Sequence, residues 1–80
     1  MDIQLIQGQF NAQDAIDILT QLLEVKIKFH ENKINNDLSE EATKMREKRI
    51  KSLQTDLQNI RQYIKENGDS ITLQSQININ

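Results

Sequence analysis

The stretch LEVKIKFHENKI, Leu23 to Ile34, decides how this chain folds. Its middle, VKIKF, alternates apolar and charged residues as a half-buried strand does. No turn residue separates Leu22 from Val25, however, and apolar spacings of three and four run on through Ile27, His30 and Ile34. A strand there would need a break that the sequence does not supply. The stretch reads as helix.

Ile16, Leu19, Leu23, Ile27, His30 and Ile34 form one helical run, and Ala15, Ile18, Leu22, Val25 and Phe29 form a second beside it. At about 100° per residue the first helix then has two aliphatic flanks. Ile16, Leu23, Ile27 and Ile34 make one, and Ile18, Leu22, Val25 and Phe29 make the other. Between them lie Ala15 and Leu19 in the first half, and Lys26, His30 and Lys33 in the second. An apolar arc of roughly 200° is too broad for one neighbouring helix and predicts packing from two sides.

The boundaries follow from the turn and cap residues. Asn11, with Asp14 three residues on, predicts a helix start, and Asp17 suits the early-helix dipole. INNDLSE breaks the period, and Asp37 with Glu40, or Ser39, can cap a second helix with the seam Ala42, Met45, Arg49, Leu53, Leu57, Ile60 and Ile64. Gly8 and Gly68, the only glycines, read as boundaries, with Gly68 as a left-handed helix exit. Beyond it, Ile71, Leu73, Ile77 and Ile79 alternate with Thr72, Gln74, Gln76 and Asn78 as in a half-buried strand. Before Gly8, Ile3 and Leu5 share one side with Gln4 on the other, and Ile6 breaks the polar side.

The expected fold class is α+β, in the order β-α-α-β, as one small domain spanning 1–80. The predicted elements are a strand over 2–7, helices over 11–34 and 39–67, and a strand over 71–79. The short link makes the helices an antiparallel hairpin, so the two terminal strands emerge at its far end and pair antiparallel. A two-stranded sheet is marginal alone, and oligomerisation is the expected way of completing it.

Composition supports that expectation. Eighty residues with 36% hydrophobic content and three aromatics (Phe10, Phe29 and Tyr63) allow only a thin aliphatic core, much of it from twelve isoleucines. Small domains compensate with disulfides, a metal or a partner chain. No cysteine and a single histidine leave the partner chain, so no cofactor and no metal site are expected. No run reaches about 18 apolar residues, so no membrane span is expected. MDIQLIQGQF lacks the basic start and apolar run of a secretory signal, and a cytoplasmic location is the default.

Charge is polarised along the chain. Residues 25–51 carry eight Lys/Arg against five Asp/Glu, whereas the rest carries two against seven. The antiparallel register sets Lys26 near Arg49, His30 near Met45 and Arg46, and Lys33 near Glu41 and Ala42. Lys26, His30, Lys33, Arg46 and Arg49 thus form a basic stripe. Three resolutions exist for cations in a seam: snorkelling to water, meeting carboxylates of another protomer, or holding an external anion. Snorkelling is preferred.

No catalytic constellation emerges. His30 beside Glu31, or beside Glu40 and Glu41, is a weak acid/base or metal signal, and one histidine supports no triad. KMREKRIK, Lys44 to Lys51, scatters its charges around a helix, and no aromatic platform accompanies it, so nucleic acid is not the expected partner. The leading expectation is a non-enzymatic interaction module that pairs with itself through Ile18, Leu22, Val25, Phe29 and the strand edge. The alternatives are a regulator binding nucleic acid or another polyanion at the basic end, an enzyme subunit using His30, and an accessory chain pairing with a different protein.

Overall fold

The computed structural model describes residues 1–34 and 39–80. Its elements are β1 (Asp2–Asn11), α1 (Ala12–Ile34), α2 (Glu40–Asn67) and β2 (Ser70–Asn78). VKIKF lies wholly within α1. Hydrogen bonds across the hairpin pair position 30 with 46 and position 20 with 61, which makes the helices antiparallel.

Both helix starts are capped by side chains. The Asp14 amide donates to Asn11 Oδ1 at 2.8 Å, while Asn11 Nδ2 donates back to Asp14 Oδ2 at 3.2 Å. Each residue thus satisfies a polar group of the other at the first turn. At α2 the Ala42 amide donates to Ser39 Oγ at 3.2 Å, so Ser39 is the cap. The other cap candidate, Asp37, lies outside the described residues. Gly68 ends α2 at φ +115°, ψ −160°. That is not the left-handed helical exit expected from ENG, but a region open essentially to glycine alone.

β1 and β2 pair antiparallel as a two-stranded ribbon, from Asn11 opposite Ser70 to Asp2 opposite Asn78. β1 is longer than the sequence suggests, running through Gly8 to Asn11 without a break. Gly8 sits inside the strand opposite Leu73, at φ +151°. The Phe10 ring lies 3.8 Å from where a Cβ would be, which is ordinary contact. Backbone conformation rather than space is what favours glycine there. A β-bulge between Gln4 and Ile6 leaves Leu5 unpaired and returns Ile3 to the face of Ile6. Gln4 Nε2 donates to the Ile6 and Ser75 carbonyls and stitches this bulge together.

The shape is flat and open. The radius of gyration is 15.2 Å, against about 12 Å for a compact chain of this length. The extents are 45, 33 and 13 Å. A helix of 28 residues spans about 42 Å and a strand of ten about 33 Å. The ribbon therefore leaves the hairpin at a large angle, neither continuing its axis nor folding back along it. Among the described residues only Ala15, Leu53 and Ile64 are buried. The inner flank of α1, formed by Ile16, Leu23, Ile27 and Ile34, is half-buried along its whole length. The outer flank divides, with Ile18 and Leu22 half-buried and Val25 and Phe29 open to solvent.

One part of the expected α2 seam is displaced. Met45 is 71% exposed and Arg49 is exposed, while Arg46 and Ile50 are half-buried. At about 100° per residue Arg46 stands nearer the direction of Leu53 than Met45 does, so the arginine takes the inward place at this end.

Candidate functional site

The basic stripe converges at the closed half of the hairpin. His30 on α1 faces Arg46 on α2, with Arg46 Nη1 2.8 Å from His30 Nδ1. A guanidinium has only donors, so Nδ1 accepts and the ring proton sits on Nε2. His30 is therefore neutral in this arrangement. Its pKa lies below the ordinary 6.5, first because burial disfavours the charged ring and then because of the positive charges on Arg46, Arg49 and Lys26. Among the described residues, the charges that shift the ring are all positive.

Phe29 joins the outer flank to this cluster. Its ring stands edge-on to His30, with centroids 5.6 Å apart and planes at 74°. Lys33 Nζ lies 5.5 Å and Arg46 Cζ 5.7 Å from the Phe29 centroid. Cations at such distances over a ring are attracted to its π face, by about 0.5–1 kcal/mol at an exposed site. Arg46 is thus shared between an imidazole and a phenyl ring. His30, Ala42, Met45, Arg46 and Arg49 line an open depression of about 310 Å³.

The structure brings together His30, Arg46 and Arg49, with Lys33 attached through Phe29 and Lys26 close enough to act on the imidazole. Lys26, Lys33 and Arg49 are exposed, whereas His30 and Arg46 are half-buried. Of the residues expected at a protein contact, Val25 is 68% and Phe29 53% exposed. No cluster of three or more His, Cys, Asp or Glu that could hold a metal occurs among the described residues. No described helix is long and apolar enough to cross a membrane.

A second concavity escapes the sequence reading. Leu19, Ile60, Tyr63, Ile64, Ile71 and Leu73 line an apolar groove of about 420 Å³ where the ribbon meets the hairpin. Thr72 also borders it and no β1 residue does, so the groove follows the outer edge of β2. Tyr63, 64% exposed on its rim, was the one available signal. As the sole aromatic of α2, it stands beside Ile60 and Ile64 rather than between them.

Comparison of the chain with protein-family models, curated proteins and solved structures gives no match.

Proposed function

We propose that this chain is a small non-enzymatic protein–protein interaction module that associates with itself, in the first instance as a dimer. The observation that carries the reading is the imbalance between covered and bare apolar surface. Among the described residues three side chains are buried, while Val25, Phe29, Met45 and Tyr63 stand largely in water and Ile3, Leu5, Ile77 and Ile79 are each between 39% and 49% exposed. Isolated exposed apolar residues are ordinary, but grouped ones mark contact surfaces. Here they group on the outer flank of α1, around the groove and at the far end of the ribbon. The contact includes Ile18, Leu22, Val25 and Phe29 together with the strand edge.

Sedimentation equilibrium over a range of concentrations tests this reading. A mass of twice the 9.3 kDa chain, or a higher multiple, supports it. A stably folded monomer at every concentration removes it.

A second reading takes the basic end as a site for a polyanion, with Lys26, His30, Lys33, Arg46 and Arg49 as its surface. The positive charges of Arg46, Arg49 and Lys26 around His30 favour it. The engagement of Arg46 with His30 and Phe29 counts against it, since binding an anion would mean giving up those contacts. Retention on heparin or DNA, falling steeply with salt, supports this reading, and no retention at low salt dismisses it.

A further inference from the structure

We propose that two copies of this chain join through the outer edge of β2: the two β2 strands pair antiparallel about a two-fold axis at Gln74, and Ile77 of each copy enters the groove beside Ile71 of the other. This rests on the self-associating reading above and specifies its contact.

Ile79 and Met1 exchange both backbone hydrogen bonds, at 2.6 and 2.7 Å. In an antiparallel ladder such pairs alternate with non-bonded ones. β2 runs through its register without interruption, so Ile77, Ser75, Leu73 and Ile71 direct their amides and carbonyls toward β1. Asn78, Gln76, Gln74, Thr72 and Ser70 direct theirs outward. The ribbon has two strands, so these outward groups have no ladder partner among the described residues.

The edge also lacks the usual protections. Strand edges are commonly blunted by charge, proline or a bulge. From Ser70 to Asn78 there is no charged residue and no proline. β1 differs, because the bulge at Leu5 interrupts its outer edge. β2 is thus the regular edge and β1 the interrupted one. Joining two β2 strands leaves the two β1 edges outermost, which stops further growth and closes the assembly at two.

The register is self-complementary. An axis at Gln74 sets Ile71 against Ile77, Leu73 against Ser75, Thr72 against Gln76 and Ser70 against Asn78. All nine residues pair, the outward groups meet each other, and each isoleucine meets an isoleucine on the apolar face. Ile77 is 40% exposed at the end of the ribbon far from its own helices. The groove beside Ile71, walled by Leu19, Ile60 and Ile64, is an apolar concavity at the end near them. Antiparallel pairing brings the one to the other twice.

Amide hydrogen exchange on the unmodified chain, run beside sedimentation, is the test. The expected result is a dimer in which the amides of Thr72, Gln74 and Gln76 are protected together with those of Leu73 and Ser75. Gln74→Pro removes an outward donor without breaking a bond to β1, and should raise the dimer Kd at least about tenfold with helical content retained. A dimer in which the amides of Thr72, Gln74 and Gln76 exchange freely overturns the edge pairing and leaves self-association standing. So does a dimer unaffected by Gln74→Pro but dissociated by Val25→Glu. A wild-type monomer overturns both.

Discussion

Arg46 donates to His30 Nδ1 across the helical hairpin at 2.8 Å, holding an imidazole in its neutral form against a permanent cation. The bond survives only while Nδ1 is bare. Protonation replaces it with two like charges in contact.

Stability should accordingly depend on pH through His30. Its folded pKa is lowered by burial and by Arg46, Arg49 and Lys26, so the unfolded chain binds the proton more readily. The contribution is fully present above the ordinary 6.5 and declines as pH falls from there toward the folded value. Urea midpoints taken from about pH 7.5 down to about pH 5.5 should fall. His30→Gln, which can still accept from Arg46 but does not titrate, should flatten that slope. An equal slope in the variant would rule His30 out as its source.

The outer flank of α1 should matter for association and little for folding. Val25 is so exposed that Val25→Glu leaves the isolated chain near its original stability. Sedimentation should show the Kd of self-association rising at least about tenfold, the effect of a charge buried at a contact. Lys48→Glu, on an exposed face of α2, should leave it unchanged. If both variants associate like the parent chain, the α1 flank is not part of the contact.

Gly68 should resist substitution although nothing crowds it. Beyond its own chain neighbours, no atom lies within 4 Å of where a Cβ would be placed, yet its φ of +115° with ψ −160° is costly for any residue with a side chain. Gly68→Ala should lower the unfolding free energy by about 1–3 kcal/mol, read from thermal or urea unfolding. A neutral result would mean the α2–β2 turn can adopt another conformation.

Asn11→Ala should cost about 1 kcal/mol of stability by removing the α1 cap. Asn11→Asp keeps the acceptor for the Asp14 amide but sets two carboxylates together, so it should recover only part of that loss. Urea unfolding of the three chains side by side orders them.

Element order, hairpin and caps were legible because their signals are local. The three-four spacing outweighs the alternation in VKIKF, and Asn11 and Ser39 carry side chains that can satisfy amides of a first turn. The antiparallel register also gave the approach of His30 to Arg46. The bulge was less plain. Ile6 stands out of phase with Ile3 because Leu5 is an inserted residue, and one break in a short alternation has several readings. Gly8 misled for a related reason, since a glycine inside a strand leaves the same mark as one at its end. The exposure of Met45 and the bare far half of the ribbon were hidden because they depend on the angle between ribbon and hairpin. No periodicity within one element reports that angle.

Asn11 is both the last rung of the ribbon, opposite Ser70, and the residue that begins α1. The two arms therefore meet in a joint with no slack segment on that side. A bending moment applied at the ribbon tip passes straight into the helical pair, which swings as a stiff lever instead of trailing on a tether. Whatever grips the tip thereby aims the basic end of the hairpin.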